Sequence, residues 1–272
     1  MPEDRARAFN GTFAELYDRY LVPMLFEPHA RITAHKASLF GAHSILEIAA
    51  GTGVLTGELA RVLPDGVAIT ATDLSQSMID IARTKPGVTN VAWQQADAMR
   101  LSFENDSFDL IVCQFGVMFF PDKQESFREA SRVLRPGGTY LFVLWDSWKE
   151  MPTAPLTIAA NAVGKLLGCD SSLLVNPPYH DENTIRSDLG SAGFQRVTIE
   201  RVTQQAEAVS AREAAVATVH GSLIRTVLET TSPERFDEAT DAVEGAIRTK
   251  FGDGPIAGTT IALMVTAEKP ST

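Results

Sequence analysis

Three carboxylates at the ends of apolar runs are the residues of this sequence best placed for chemistry. Glu47, Asp73 and Asp97 each stand at or near the end of a short run with the composition of a buried strand. A carboxylate accepts hydrogen bonds from hydroxyl, amino and ammonium groups. Any one of them could instead have a purely structural role, since an Asp after a strand, such as Asp97, commonly forms an Asx turn. Three in succession favour a ligand that carries several donor groups.

A turn rich in small residues follows the first of these runs. Ala49, Gly51 and Gly53 let the backbone pass close to a ligand, and the N–H groups at the start of the next helix can bind its polar groups. A dinucleotide turn needs Gly-x-Gly-x-x-Gly, and the third position here is Thr56. Glu47 would also repel a pyrophosphate, whereas it suits a ligand with an ammonium group. The turn therefore misses the dinucleotide pattern.

Asp73 stands 22 residues after Gly51 and closes the second apolar run, residues 67–72. An acid at the end of a second strand accepts both ribose hydroxyls of a nucleoside. Asp73 therefore indicates a nucleoside without deciding between nicotinamide and adenosyl ligands. An NAD-dependent oxidoreductase remains an alternative function, although it leaves Glu47 and the missing third glycine unexplained.

The elements that position these residues alternate between strand and helix along the chain. The predicted strands begin at Ile45 and continue with residues 67–72, 91–96, 108–114, 139–145, 194–202 and 259–267, of which the last two form an antiparallel pair. Helices are predicted from Thr12 to Tyr20, from Pro28, from Gly53, and at residues 122–134, 156–167, 181–192, 211–228 and 233–251. This alternation predicts an open α/β sheet, whose ligands lie beyond the carboxyl ends of the strands.

The turn resembles the first motif of the class I S-adenosylmethionine-dependent methyltransferases, which reads acid-x-small-x-Gly-x-Gly. Glu47, Ala49, Gly51 and Gly53 occupy those positions. The Phe-Asp-x-Ile/Val pattern of residues 108–111 and the Arg-Pro-Gly-Gly turn of residues 135–138 also match the family. The resemblance is strong over about residues 40–145 and looks closest to the small-molecule branch, called methyltransferase type 11, that includes quinone C-methyltransferases.

The resemblance implies a fold and a cofactor. The fold would be α/β: a doubly wound, mostly parallel, seven-stranded Rossmann-like sheet of order 3-2-1-4-5-7-6, with strand 7 antiparallel and helical lid elements. The cofactor would be S-adenosyl-L-methionine, and the product S-adenosyl-L-homocysteine. The predicted cofactor contacts are Tyr17, Glu47, Ala49, Gly51, Thr52, Gly53, Thr56, Asp73, Leu74, Met78, Ala96, Asp97, Ala98, Gln114 and Phe115.

The acceptor would be a small molecule methylated by in-line displacement at the sulfonium methyl group, in a pocket next to the cofactor. Ordinary core packing is the alternative for each aromatic residue that we assign to this pocket. The predicted pocket residues are Tyr20, Phe119, Trp145, Tyr179 and His220. No catalytic residue is assigned. His220 and His180 are candidates for a base, and the alternative for each is packing or exposure to solvent, the commoner roles of a lone His on a helix. Oxygen, nitrogen and carbon all stay open as the methylated atom.

A single domain is predicted for residues 1–272, with residues 41–146 as the cofactor-binding core. Residues 1–40 would form an N-terminal helical lid, and residues 147–193 and 203–256 would be helical inserts that cover the acceptor site. More than 50 residues replace the hairpin expected between the last two strands, and long inserts in compact domains are usually functional. The alternative is that the helices of the second insert form a homodimer contact or brace the edge of the sheet.

Composition limits the class of partner. The 272 residues are 44% hydrophobic and carry a formal net charge of −10 without a basic stripe, so a small molecule is favoured over nucleic acid. The two cysteines have no metal-binding spacing, and no metal is predicted. No apolar run approaches the roughly 20 residues that span a bilayer, and no signal peptide is recognised, so we expect a cytoplasmic protein without a membrane partner. A non-catalytic protein that binds S-adenosylmethionine is a second alternative.

Overall fold

The structure is a computed structural model that describes residues 12–175 and 179–271 of the chain. Besides four short 3₁₀ helices, its helices are α1 (Thr12–Leu16), a π-helix (Tyr17–Phe26), α2 (Glu27–Ser38), α3 (Val54–Val62), α4 (Gln76–Ala82), α5 (Lys123–Val133), α6 (Pro155–Leu167), α7 (Glu182–Ser191), α8 (Ala211–Gly221), α9 (Leu223–Thr231) and α10 (Phe236–Phe251). Its strands are β1 (Ser44–Ile48), β2 (Ala68–Asp73), β3 (Ala92–Gln95), β4 (Phe108–Gln114), β5 (Leu134–Trp145), β6 (Gln195–Ala208) and β7 (Ile256–Glu268).

The seven strands that the structure describes form one sheet in the order β3-β2-β1-β4-β5-β7-β6. Strands β1 to β5 pair in parallel, whereas β7 runs antiparallel to both β5 and β6. This confirms the predicted fold class, strand order and direction. The order reverses between β1 and β4, and such a reversal leaves a crevice beyond the carboxyl ends of the two strands.

The central strands are apolar enough to be covered on both faces, as parallel strands usually are. In β4, all four residues from Leu110 to Cys113 are fully buried. In β5, the seven residues from Thr139 to Trp145 are buried as well. The core therefore runs through the middle of the sheet, and the half-buried Gln114 comes where β4 reaches the crevice.

The last two strands are longer than predicted. The sequence pattern predicted residues 194–202 and 259–267, but β6 and β7 pair continuously from Ala208 opposite Ile256 to Gln195 opposite Glu268, apart from one irregularity near Gln195. Strand β5 pairs with β7 only from Ala262 onward. The first residues of β7 therefore have β6 alone as a partner. Pairing, and not only side-chain alternation, sets the ends of these strands.

The helix predicted at residues 211–228 is two helices. Ser222 separates α8 from α9 with an extended backbone, φ −121° and ψ −176°. Its hydroxyl accepts a hydrogen bond from the Ile224 N–H at 3.2 Å, so Ser222 caps the start of α9. A serine has no strong effect on a helical pattern read from sequence, which is why this break was missed.

The N-terminal segment stays helical from Thr12 to Ser38, although two separate helices were predicted. Pro23 lies inside the π-helix. A proline lacks an N–H group, and in an α-helix its ring crowds the carbonyl four residues earlier. The wider π turn relieves that contact, so the chain continues through Pro23 without a break.

Helices from the N-terminus and from both predicted inserts form a connected cover. The π-helix packs against α8, α8 packs against α10, and α10 packs against α6. The division into a lid, a core and two inserts stays a prediction. Residues 1–11 of the lid and 176–178 of the first insert lie outside the described residues.

Candidate functional site

A cavity of about 320 Å³ lies beyond the carboxyl ends of the parallel strands. Its walls come from the strand ends, the π-helix, the start of α6 and the junction between α8 and α9. The predicted contacts that line it are Tyr17, Ala49, Gly51, Asp73, Leu74, Met78, Ala96, Asp97, Ala98, Gln114, Phe115, Phe119 and Trp145. Open α/β sheets bind their ligands in this position.

Asp73 joins the glycine turn to the cavity wall. Its Oδ2 accepts a hydrogen bond from the Gly51 N–H at 2.8 Å, and its Oδ1 accepts one from the Ser75 N–H at 2.8 Å. Burial raises the pKa of Asp73, while the backbone N–H groups of Ser75, Gly51 and Leu74 act against that rise. A carboxylate has about four acceptor sites, so Asp73 keeps some acceptor capacity for a donor on a ligand.

Asp97 combines the two roles that the sequence left open for it. Its Oδ1 accepts a hydrogen bond from the Met99 N–H at 3.0 Å, which is the geometry of an Asx turn. The same residue lines the cavity, beside Ala98. The turn therefore fixes the carboxylate at the ligand side of β3 and does not remove it from the site.

The backbone is strained where β1 and β4 end. Ala49 and Phe115, each one residue past its strand, have φ values of 57° and 56°. The left-handed conformation costs roughly 1–2 kcal/mol for a residue other than glycine. Gly116, the residue after Phe115, has no room for a side chain, because a Cβ there would lie 2.6 Å from the Cβ of Ala49. Strain held by the surrounding structure is common at functional sites.

Glu47 does not line the cavity, contrary to the prediction of a carboxylate that faces a ligand ammonium. Its side chain is 1% exposed, and the Thr56 hydroxyl donates a hydrogen bond to its Oε2 at 2.6 Å. The pKa of Glu47 is raised to about 8, mainly by burial. The hydrogen bond from Thr56 lowers this pKa, whereas the nearby charge of Asp73 raises it. At neutral pH the side chain is therefore mostly protonated and supports the turn from behind.

Replacing this buried acid should change how stability depends on pH. The folded state keeps a proton that the unfolded chain releases above its ordinary pKa of 4.5. The free energy of unfolding should therefore fall between about pH 5 and 8, by up to about 1.4 kcal/mol per pH unit from this group. Glu47→Gln keeps an acceptor for Thr56 and cannot ionise, so urea unfolding of this variant should lack that part of the slope.

The control for this prediction is Glu207→Gln, on an exposed position of β6. We expect this variant to keep the pH dependence of the unmodified protein. Parallel curves for Glu47→Gln and the unmodified protein across the whole pH range would show that Glu47 is ionised in the folded state.

Three further predicted contacts, Thr52, Gly53 and Thr56, also lie outside the cavity wall. Gly53 has φ 81°, and a Cβ there would lie 3.0 Å from the Cβ of Ala82 and 3.1 Å from the Trp93 ring. The second glycine of the motif thus packs the turn against α4 and β3 and does not approach a ligand. Thr52 is buried, and Thr56 binds the buried acid described above.

Aromatic side chains form the other end of the cavity. The rings of Phe115 and Trp145 stack with their centroids 3.9 Å apart and an angle of 19° between their planes. Phe26, the last residue of the π-helix, contacts both rings at 5.4 and 5.9 Å. Phe119 and Phe120 line the same cavity. One end of the cavity is therefore acidic and the other is aromatic and apolar.

His29 supports the aromatic end from outside the cavity wall. Its ring meets Phe115 and Trp145 edge-on at 5.4 and 5.2 Å, and its Nε2 lies 3.1 Å from the Thr260 hydroxyl. Burial lowers the pKa of His29 to about 4, so the imidazole is neutral at pH 7. Nothing in the sequence around His29 had indicated this position.

The lid and the second insert touch each other above the cavity. Gly221, Ser222 and Leu223 line it from the insert, and Tyr17 and Leu21 line it from the π-helix. A Cβ on Gly221 would lie 3.2 Å from the Cβ of Leu21 and 3.5 Å from the Cα of Tyr17. The two covers therefore approach closely at Gly221, where a larger side chain would separate them.

Neither histidine proposed as a base reaches the cavity. His220 Nε2 lies 3.1 Å from the Thr240 hydroxyl, and its ring stacks on Phe236 at 5.4 Å. Burial lowers the pKa of His220, with Arg225 acting in the same direction. The side chain thus faces α10, although its neighbour Gly221 lines the cavity. His180 also lies outside the wall, so the prediction of either as a base does not fit this structure.

Two predicted pocket tyrosines lie elsewhere. The Tyr179 hydroxyl donates a hydrogen bond to Asp188 Oδ2 at 2.8 Å, and the Lys123 ammonium lies 5.0 Å from its ring centroid. Tyr20 lies beneath the Arg19 guanidinium, 5.1 Å from the ring centroid. Both rings are partly buried against the core, so tertiary packing occupies them.

Part of the cavity wall was not predicted from the sequence. The added wall residues are Phe13, Leu21, Phe26, Ile48, Ser75, Met99, Pro121, Leu156, Gly221, Ser222 and Leu223. Phe13, Tyr17 and Leu21 are spaced four residues apart and therefore lie on one face of a helix. Since Tyr17 was a predicted contact, this spacing could have predicted that Phe13 and Leu21 also face the cavity. The segment at residues 221–223 carried no such signal, because its position depends on how α8 packs.

Comparison with known proteins gives the family. Residues 45–138 match a family profile described as a methyltransferase domain. The ubiquinone/menaquinone biosynthesis C-methyltransferase UbiE of Pseudomonas aeruginosa is 32% identical over 194 residues, which are 64% of this chain and 73% of that protein. This chain belongs to the class I S-adenosylmethionine-dependent methyltransferases. The UbiE protein of Saccharophagus degradans is 28% identical over 226 residues, covering 74% of this chain and 89% of that protein.

Solved structures show the same fold at lower identity. YcgJ protein from Bacillus subtilis has a TM-score of 0.56 and 19% identity, over 90% of this chain and 99% of that one. Phosphoethanolamine N-methyltransferase 2 from Haemonchus contortus, solved with S-adenosylhomocysteine, has a TM-score of 0.52 and 18% identity. The match covers 88% of this chain and 52% of that protein. As a member of its family, this methyltransferase uses S-adenosylmethionine to methylate a small molecule and releases S-adenosylhomocysteine.

The described part of this methyltransferase holds no helix long and apolar enough to cross a membrane. Over the same residues, no group of three or more His, Cys, Asp or Glu side chains could hold a metal ion.

Cys113 is a buried free thiol within β4, and burial raises its pKa.

Proposed function

We propose that the acidic end of the cavity binds S-adenosylmethionine and that the aromatic end binds an apolar small-molecule acceptor. The observation that carries the proposal is the continuity of one cavity from Asp73 and Asp97 to Phe115 and Trp145. In-line displacement needs the methyl donor and the acceptor held in contact and aligned. A single cavity with two chemically different ends suits that requirement.

The turn leaves room for the cofactor between itself and the lid. Gly51 has φ 57°, and a Cβ there would point towards the Tyr17 hydroxyl, 4.0 Å away. The missing side chain keeps that space open, and Asp73 lies beside it as a hydrogen-bond acceptor for the ribose hydroxyls. Asp73, Gly51 and Tyr17 would thus hold the sugar and the amino-acid part of the cofactor.

The adenine ring would lie between the ends of β2 and β3. Leu74 and Met78 offer apolar surface there, and Asp97 offers a carboxylate for the exocyclic amino group. Ala96 and Ala98 leave space for a flat ring because their side chains are small. The support for this placement is that all five residues line the cavity and that Leu74, Met78 and Asp97 have these roles by resemblance to the family.

The sulfonium of the bound cofactor supplies an electrophilic methyl group. The chain contributes alignment and exclusion of water, with Leu21 from the lid and Leu223 from the insert closing the cavity. Among the described wall residues, the ionisable ones are Tyr17, Asp73 and Asp97. Burial raises the pKa of the Tyr17 hydroxyl, and the negative charges of Asp73 and Asp18 raise it further. The aromatic end thus has no described wall residue that could act as a base at neutral pH.

Two finer expectations from the sequence stay proposals. We place the enzyme in the cytoplasm, and we keep a homodimer contact through residues 203–256 as the alternative role of the second insert. The packing of α8 on the π-helix favours the covering role. Light scattering that gives twice the chain mass would support the dimer.

Calorimetry tests the proposed function directly. We expect S-adenosylhomocysteine to bind with a stoichiometry of one per chain and NAD to give no signal, because the turn and the strand-end acids suit an adenosyl ligand without a pyrophosphate. Transfer of labelled methyl groups from S-adenosylmethionine to an acceptor then separates an enzyme from a binding protein. Tight NAD binding without an S-adenosylhomocysteine signal would overturn the proposal.

A further inference from the structure

Two buried polar atoms at the aromatic end have no hydrogen-bond partner in the described part of the chain. They are Gln114 Oε1, an acceptor, and Trp145 Nε1, a donor. Both residues line the cavity, yet both atoms are shielded from water. Leaving such atoms unpaired destabilises a protein, and buried polar groups without partners are uncommon in native folds. Their presence together at one end of a ligand cavity calls for a ligand that pairs with both.

The sheet holds the two side chains next to each other. Gln114 lies opposite Val143 in the parallel pairing of β4 with β5, and Trp145 is two residues beyond Val143. Residues two apart on a strand share a face, so Gln114 and Trp145 project to the same side of adjacent strands. The two unpaired atoms therefore belong to neighbouring side chains, both of which line the cavity.

The orientation of the Gln114 amide is fixed by the lid. Its Nε2 donates a hydrogen bond to the carbonyl oxygen of Phe26 at 3.3 Å. The opposite orientation would set Oε1 against that carbonyl oxygen, which repels it. The unpaired atom of Gln114 is therefore an acceptor, whereas that of Trp145 can only be a donor.

The surrounding wall disfavours a charged acceptor. The carboxylates of the described wall, Asp73 and Asp97, belong to the proposed cofactor end, and that wall contains no Lys, Arg or His. An anionic acceptor would be buried among aromatic rings without a counter-ion, which is costly. An ammonium group would have only the aromatic rings to meet, and the stacking of Phe115 on Trp145 covers one ring face of each.

We propose that the methyl acceptor is an uncharged aromatic molecule that carries both a hydroxyl group and a carbonyl group. The hydroxyl donates a hydrogen bond to Gln114 Oε1, and the carbonyl accepts one from Trp145 Nε1. Gln114 and Trp145 are thus the residues that determine specificity, and the stacked rings supply the apolar surface. This inference rests on the proposed function, because it requires the cofactor at the other end of the cavity.

The test measures binding of matched probes to the protein saturated with S-adenosylhomocysteine. The reference probe is para-hydroxyacetophenone, which has both groups. Acetophenone lacks the hydroxyl, para-ethylphenol lacks the carbonyl, para-hydroxybenzoate is an anion and tyramine is a cation. We expect loss of either group to weaken binding about 10-fold, and both charged probes to bind more weakly still.

Two variants assign each preference to its residue. In Gln114→Leu the hydroxyl should no longer matter, so acetophenone and para-hydroxyacetophenone should bind within about 2-fold of each other. In Trp145→Phe the carbonyl preference should disappear while the hydroxyl preference stays. Trp148→Phe is the control, because Trp148 packs on Trp145 with centroids 5.8 Å apart but does not line the cavity. It should keep both preferences.

The outcomes separate the two proposals. Absence of S-adenosylhomocysteine binding would defeat the proposed function itself. Normal S-adenosylhomocysteine binding together with equal affinity for all uncharged probes, tighter binding of a charged probe, or no binding of para-hydroxyacetophenone at millimolar concentration would overturn this inference alone. The probe series on the unmodified protein decides the matter even if a variant fails to fold.

Discussion

Replacing Asp73 with alanine is expected to weaken S-adenosylhomocysteine binding by about 10²- to 10⁴-fold. The carboxylate would lose two charge-assisted hydrogen bonds to the ribose, each worth roughly 1.5–3 kcal/mol, and about 1.4 kcal/mol corresponds to a factor of ten. The loss has a second cause in the fold, because Asp73 also accepts hydrogen bonds from the Gly51 and Ser75 N–H groups. Without it, the turn loses the contact that holds it beside β2.

Asp73→Asn should retain more affinity than Asp73→Ala, because one side-chain oxygen remains while the charge is removed. Asp80→Ala is the matched control: Asp80 is exposed on α4 and accepts a hydrogen bond from Gln76. Calorimetry with S-adenosylhomocysteine measures all three variants, and circular dichroism checks their folding. Folded Asp73 variants with unchanged affinity would mean that the ribose binds elsewhere.

The contact between the π-helix of the lid and Gly221 of the second insert is expected to control release of S-adenosylhomocysteine. Gly221→Val is expected to speed release of S-adenosylhomocysteine by about 5- to 150-fold, which corresponds to roughly 1–3 kcal/mol of overpacking. The added side chain would start 3.2 Å from the Cβ of Leu21, so the π-helix must move away from α8. Tyr17 and Leu21 would then cover the cavity less tightly. Stopped-flow tryptophan fluorescence measures the release rate.

The matched control lies in the same insert. A Cβ on Gly245, in α10, would have no atom within 4 Å apart from its chain neighbours and the backbone of its own helix, so Gly245→Val should leave release of S-adenosylhomocysteine unchanged. Hydrogen exchange of residues 17–26 provides a second measurement, and it should become faster in Gly221→Val only. If release and exchange are both unchanged in a folded Gly221→Val protein, then this contact does not hold the lid.

Much of the sheet and of the acidic end follows from local sequence. The apolar runs before Glu47, Asp73 and Asp97 predicted three strand ends, and the rule that ligands bind beyond such ends predicted where they meet. Asp73 and Asp97 do line the cavity. Such features are predictable because a parallel strand is buried along most of its length, so its polar end stands out in the sequence. The resemblance to a known family supplied the strand order, which the structure confirms.

The acceptor end was less predictable, because helices decide it. Gly221 lines the cavity while His220 faces α10, although the two are adjacent in sequence. Which side of a helix faces a cavity depends on its packing partners, and α8 meets the π-helix about 200 residues earlier in the chain. The π turn around Pro23 likewise depends on packing that keeps the segment helical.

The sequence by itself determined the family, the cofactor class and the strand ends that carry acidic side chains, because these depend on patterns within a few residues. Tertiary structure alone decided where those acids lie relative to the cavity. Glu47 and Asp73 are both strand-end acids, yet Glu47 lies behind the turn with Thr56 and holds its proton to about pH 8, whereas Asp73 lies on the cavity wall. Burial sets the protonation of a carboxyl group, and burial exists only after the strands and helices have packed together.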